Sequence, residues 1–342
     1  MSFKYLREIS PPGEIQKTLP LSPKLVRLKK KRDREIRAVF TRESGKFLLI
    51  IGPCSAHDEE AVCDYVARLA KLQEEVREKI LLIPRIYTHK PRTNGLGYMG
   101  MAHQPIPGKT PDILEGLKAT RRMHLRALRE SGLPAADEIL YPGNYAYLED
   151  LLSYVVVGAR SVENQAHRLT CSGFDIPVGM KNPISGDLEV MLHSIQAAQS
   201  SHIFTYNRWE VRTSGNPLTH AVLRGAVDRN KRVLPNYEYQ SLIRFAKLYR
   251  KRGLANPTII VDTSHANSNK KFSEQPRIAK EVMHSRRRSS VLNGLVRGLM
   301  IESFLEEGSQ PPPGVVYGKS ITDPCLGWED SKRLIRELAE LV

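Results

Sequence analysis

Four side chains that can ligate a metal stand at or just beyond the ends of apolar runs that lie far apart in the chain. Cys54 closes FLLIIGPC (47–54), His265 closes TIIVDTSH (258–265), Glu302 sits near the end of LVRGLMIES (295–303), and Asp323 follows in the next loop. A thiolate, an imidazole and two carboxylates make a mixed soft and hard set. That set suits one divalent transition metal (Mn, Fe, Co or Zn) better than Mg or Ca, which prefer all-oxygen shells. A second group is cationic. Arg85 lies near the end of ILLIPRIY (80–87) with Lys90, Arg92 and Thr93 close behind, Arg160 ends YVVVGAR (154–160), Lys181 falls in IPVGMKN (176–182), and Arg224 follows HAVL. Fixed cations aimed at one place repel one another unless anions bind among them, and arginine forks match phosphate and carboxylate oxygens. Taken singly, Cys54 reads as a small buried hydrophobe and each arginine as a surface ion pair. Only convergence at one place gives them chemistry.

The elements that would bring them together repeat. From about residue 45 a short apolar run, a polar motif and a helix-like segment recur, as in parallel βα units. Eight runs fit: the six above, together with AADEIL (135–140) and HIFTYN (202–207). This predicts an α/β fold of the (β/α)8 TIM-barrel type, in which loops at the C-terminal strand ends build the site. Residues 1–44 form an N-terminal extension and 45–342 the barrel. Ser22 and Pro23 open a basic amphipathic helix containing Leu25, Leu28, Ile36, Val39 and Phe40, and Asp58 caps a helix with Val62, Val66, Leu69, Leu72 and Val76 at helical spacing. The segment from Trp209 to Tyr237 reads as a hairpin-like excursion after the sixth strand.

Composition excludes several classes. The 342 residues are 41% hydrophobic and 26% charged, ordinary for a globular protein. No run reaches the roughly 18 apolar residues of a membrane span, and the first residues have no apolar signal-peptide core, so a cytoplasmic chain with no membrane partner is expected. Four cysteines at 54, 63, 171 and 325 form no CxxC pair. The formal charge of +15 attracts anions of any size. Without aromatic interleaving or a recognition motif, the basic stretch Lys24–Arg37 reads as a solvated or subunit-facing helix and not as a nucleic-acid surface. Gly314–Ser320 imitates a P-loop but has three residues where four are required.

The motifs IGPCSAHD, RIYTHKPRT, SGLPAADEIL, GARSVENQAHR, PVGMKN, LRG, DTSHANSNK and YGKSITDPCLGWED resemble those of the type I 3-deoxy-D-arabino-heptulosonate 7-phosphate (DAHP) synthases, from about residue 45 to the C-terminus. The resemblance implies a homodimer or homotetramer that joins phosphoenolpyruvate to erythrose 4-phosphate, the reaction opening the shikimate pathway. It implies Cys54, His265, Glu302 and Asp323 as metal ligands, and Arg85, Lys90, Arg160, Lys181 and Arg224 around phosphoenolpyruvate. Arg92 and Thr93 would hold the aldose phosphate, with Glu163 and Gln165 orienting the cations. Lys90 and His265 are the candidates for proton transfer, Lys90 requiring a depressed pKa to donate near neutrality.

The chain departs from that pattern after KPRT, where NGLGYMGM places Tyr98 and Met99 on the wall near the aldose site, and after Lys181, where NPISGD follows. A same-fold synthase acting on another aldose phosphate is the alternative reading. Family members of this length are often inhibited by an aromatic amino acid through the extension and the excursion. Both regions diverge here, so sensitivity to phenylalanine, tyrosine and tryptophan is expected to be altered or absent.

Overall fold

In the computed structural model, which describes residues 2–342, eight parallel strands form one sheet: β1 Phe47–Gly52, β2 Ile80–Pro84, β3 Ala136–Ile139, β4 Tyr154–Val157, β5 Val178–Lys181, β6 Thr219–Leu223, β7 Ile259–Asp262 and β8 Val296–Glu302. β1 pairs in parallel with both β2 and β8, so the first and last strands meet. β2 and β3 are joined by a single parallel bridge, Arg85 to Ala136, which closes the barrel.

Most strand residues are buried on both faces, as helices outside and packed side chains inside require. Alternate residues divide between two cores. Phe47, Leu49 and Ile51 point outward against Val62, Val66 and Leu69 of the helix Glu59–Val76. Leu48, Ile50, Ile83, Val156, Val222 and Ile260 point inward, and there they meet Ile36, Val39 and Phe40. The C-terminal end of the helix Pro23–Phe40 therefore plugs the interior, against residues near the strand starts. It opens as expected, with the Ser22 hydroxyl accepting from the Leu25 amide and Pro23 at the first turn. Asp58 likewise caps Glu59–Val76, its carboxylate accepting from the amides of Glu60 and Ala61. No helix among the described residues is long and apolar enough to cross a membrane.

The expected sixth strand requires correction. HIFTYN does form a strand, Ile203–Tyr206, but it pairs antiparallel with Trp209–Arg212 in a hairpin outside the barrel. The sixth barrel strand is Thr219–Leu223, so the excursion precedes it; only a small pairing of Ala226–Val227 with Val233–Leu234 follows. The physical distinction is burial. Ile203–Tyr206 alternates between exposed and half-buried positions, as a two-sided ribbon does, whereas all of Thr219–Leu223 is buried. Two polar residues disguised the true strand. Thr219 is fully buried, and His220 hides its ring inside, with Nε2 2.7 Å from the Tyr154 hydroxyl and Nδ1 2.9 Å from the Leu218 carbonyl.

The arginine run of the helix Gln275–Arg288 is structural. Arg286 is buried with its guanidinium 4.6 Å from the Phe47 ring centroid, and Arg287 donates to the carbonyls of Glu340 and Leu341 at the C-terminal end of the last helix.

Candidate active site

At the C-terminal mouth of the barrel a cleft of about 260 Å3 is lined by Cys54, Arg85, Lys90, Arg92, Arg160, Lys181, Arg224, His265 and Asp323. These nine are all candidates that the sequence offers, and Glu138, Ile184, Val227 and Lys270 line the cleft with them. Their positions follow from the strands. Cys54 lies two residues past β1, Arg85 directly follows β2, Lys181 ends β5, and Glu302 ends β8. Arg224 follows β6 directly, so it sits at a strand end and not in an excursion loop. Asn182 ties β5 to β6: its amide donates to the Val222 carbonyl at 3.1 Å and its side-chain oxygen accepts from the Arg224 amide at 2.9 Å.

Donor atoms of Cys54, Glu302 and Asp323 lie within 4.8 Å of one another, close enough to share one ion. His265 stands beside this trio: Nε2 is 3.9 Å from Glu302 Oε1, and Nδ1 is 3.0 Å from Asp262 Oδ2. A backbone outlier aims it, for His265 has φ 55°, in the left-handed region. Glu302 is held from both sides, by Arg85 at 2.9 Å and the Ser264 hydroxyl at 2.8 Å, while the Gln275 side chain brackets its backbone.

Electrostatics follow from burial opposed by pairing. Burial works against ionisation of Glu302, but Arg85, His265 and Lys90 outweigh it and hold the carboxyl below its usual range. Asp262 is likewise buried, yet His265 and Lys181, whose Nζ lies 2.9 Å away, hold it well below the ordinary value. Burial pushes the Cys54 thiol up, with Glu302 and Asp323 adding to the rise and Lys90 opposing it at 3.2 Å. The Lys90 ammonium is opposed by burial, but Cys54, Glu138 and Glu302 outweigh that, and its pKa is raised. The depressed value that a proton donor near neutrality needs is therefore not what its surroundings produce. Burial lowers the pKa of Arg224, and one of its terminal nitrogens is buried without a protein partner.

The remaining candidates divide. Arg160 donates from Nε to the Thr93 hydroxyl at 2.9 Å, and Arg92 donates to the Tyr98 carbonyl at 2.8 Å, so the two halves of the cationic group meet. Glu163 and Gln165 are exposed and do not line the cleft; Glu163 acts on Arg168 instead. Cys325 is fully buried and its sulfur accepts from the Cys54 amide at 3.3 Å.

Sequence reasoning gave no role to Asp262, Glu138, Lys270, Ile184 or Val227, which complete the site. A carboxylate as the last residue of a buried strand was the available signal for Asp262. Glu138, one residue before the end of β3, is a similar case. Ile184 and Val227 are joined by a backbone hydrogen bond of 2.8 Å between two loops, which no local pattern announces.

Similarity to known proteins agrees with this site. The profile described as the DAHP synthetase I family matches residues 27–336. The chain is 34% identical to the Phe-sensitive phospho-2-dehydro-3-deoxyheptonate aldolase of Escherichia coli strain K12, over 100% of this chain and 97% of that one. It is 36% identical to the Tyr-sensitive enzyme of Salmonella typhimurium, over 89% of this chain and 84% of that one. The solved phospho-2-dehydro-3-deoxyheptonate aldolase of Francisella tularensis SCHU S4 superposes with a TM-score of 0.91 at 28% identity, covering 100% of this chain and 98% of that one. A closed eight-stranded barrel, a mouth that gathers donors and cations, and similarity along the whole chain agree: this chain belongs to the DAHP synthetase I family.

Proposed function

We propose that this chain is a phospho-2-dehydro-3-deoxyheptonate aldolase that condenses phosphoenolpyruvate with D-erythrose 4-phosphate and water, releasing phosphate, with one divalent transition metal as cofactor. The observation that carries the reading is the charge of the cleft. Seven cationic side chains (Arg85, Lys90, Arg92, Arg160, Lys181, Arg224 and Lys270) face only four carboxylates, those of Glu138, Asp262, Glu302 and Asp323. Such an excess is stable only with anions bound, and two phosphorylated substrates supply them.

Cys54, Glu302 and Asp323, with His265 beside them, are the residues that would hold the ion; their mixed donors and close spacing suit a transition metal. When bound, the ion supplies Lewis-acid polarisation of the aldehyde. Arg85, Lys90, Lys181 and Arg224, all buried, hold phosphoenolpyruvate by its anionic groups together with Arg160, which also donates to the Thr93 hydroxyl, and Arg92 and Thr93 hold the aldose phosphate. This fixes the enol carbon against the aldehyde carbon. Such positioning is worth up to about 7–11 kcal/mol in well-oriented systems. Carbon–carbon bond formation leaves a cationic carbon that water attacks, and phosphate then departs with its oxygen. With Lys90 held as an ammonium, His265 against Asp262 is the group suited to move the proton to the new hydroxyl.

The test uses metal-stripped protein with both substrates, with and without Mn, following loss of the enol and release of phosphate. Metal-dependent turnover that disappears in Cys54→Ala and His265→Ala is the expected result. No turnover with Mn, Fe, Co or Zn would overturn it, and turnover with another aldose phosphate alone would favour the alternative acceptor that Tyr98 and Met99 raise.

A further inference from the structure

Three non-glycine residues of the loop after β7 occupy the left-handed region within six positions: His265 at φ 55°, Asn269 at 51° and Lys270 at 59°. Such backbone costs free energy and persists only where its surroundings impose it. Asn267 imposes it here. Its side-chain amide donates to the carbonyls of Leu223 at 3.2 Å and Asp262 at 2.7 Å, and its oxygen accepts from the Asn236 amide at 2.8 Å. The Lys270 amide then closes back on the His265 carbonyl at 2.8 Å. The loop thereby presents both His265 and Lys270 to the cleft, with Lys270 Nζ 3.0 Å from Asp323 Oδ1.

Each of the three converging donor residues thus has a cation of its own: Lys90 on Cys54, Arg85 on Glu302 and Lys270 on Asp323. The first two cations are buried and would be stranded without their partners. The Lys270 side chain is 61% exposed, so its ammonium can return to water at little cost. Asp323 is also the least buried of the three donors.

We propose that Lys270 is a competing cation at the metal centre: its ammonium and a divalent ion are alternative partners of Asp323, so that binding the ion requires Lys270 to release that carboxylate. The inference rests on the metal reading above and adds a residue that sets the affinity of the centre. Released, the ammonium stays at the rim of the cleft among the cations that face the anionic substrates.

Isothermal titration of Mn into metal-stripped wild type, Lys270→Met and Lys270→Arg tests this without relying on turnover. Methionine keeps the length of the stem and removes the charge; arginine keeps the charge. An exposed ion pair is worth at most about 1 kcal/mol, so Lys270→Met is expected to bind Mn about three- to fivefold more tightly than wild type. Lys270→Arg should stay within about twofold, and the Lys270→Met advantage should shrink as KCl is raised, because salt screens the exposed ammonium. Unchanged or weaker binding in Lys270→Met overturns the proposal; weaker binding would mean that Lys270 positions Asp323 for the ion. Wild type that binds Mn but turns over neither substrate pair would overturn the reaction reading and leave this one standing, whereas wild type that binds none of Mn, Fe, Co and Zn would overturn both.

Discussion

Replacing Asp137 by alanine should loosen the barrel at its weakest seam. β2 and β3 share one bridge, where the other neighbouring strands share ladders of three to five paired positions. Side-chain bonds therefore carry more of that junction. The Asp137 carboxylate, 2% exposed, accepts from the Thr88 amide at 2.9 Å, the Thr88 hydroxyl at 2.5 Å and the Glu138 amide at 2.7 Å, and His124 Nε2 lies 3.4 Å away. Burial opposes its ionisation, but His124, His89 and Thr88 hold its pKa below the usual value. Alanine leaves three buried donors without an acceptor, each costing about 1–3 kcal/mol before relaxation. Allowing for repacking and water entry, the expected loss is about 3–5 kcal/mol, as for other broken buried charge networks. Asparagine retains one acceptor oxygen and should cost less than half as much. Urea unfolding at pH 7 measures both variants, and hydrogen exchange at the Thr88 amide locates the effect. A loss below about 1 kcal/mol, or a Thr88 amide protected as in wild type, would refute the assignment of this carboxylate as the clasp of the seam. Thr88 stands two residues before Lys90, so the same variant should also lower turnover.

Burial lowers the pKa of His220 to about 4, against the hydrogen bond that its Nδ1 donates to the Leu218 carbonyl, which raises it. Because the folded value lies below the unfolded one, the unfolded chain binds the extra proton between them. The contribution is complete above about pH 6.5 and is lost as pH falls toward 4, amounting to about 3 kcal/mol, of which about 2 is gone by pH 5. Unfolding free energies at pH 7 and 5 should fall more steeply in wild type than in His220→Gln; equal slopes would contradict this. A Cβ on Gly158 would meet Glu138 Oε1 at 2.2 Å, the tip of a movable side chain that lines the cleft. Gly158→Ala is therefore expected to change stability by less than about 1 kcal/mol while raising the KM for phosphoenolpyruvate, whose anionic groups a displaced carboxylate would repel. An unchanged KM would show that Glu138 turns away from the substrate.

Local patterns were enough for much of this molecule. The buried runs at 47–52, 80–84, 154–157, 178–181, 259–262 and 296–302 are legible because a strand covered on both faces must be nearly all apolar, and such runs separated by helical periodicity leave few folds open. The caps at Ser22 and Asp58 are equally local, since each needs only the following turn. Cys54, Arg85, Lys181 and Glu302 could be named because barrel geometry brings strand ends to one mouth whatever the loops do.

Tertiary structure decided the rest. Whether HIFTYN or THAVL entered the barrel depended on burying His220 against Tyr154 and Phe40, a choice made by partners 66 and 180 positions away. The plugging of the interior by Ile36, Val39 and Phe40, the clasp of Asp137 on Thr88, and the meeting of Lys270 with Asp323 each join residues that no window of sequence contains. Composition and periodicity determine which residues must leave water and at what spacing. Which buried or charged group finds which partner is settled by three-dimensional packing, and here that packing sets the charge around the site.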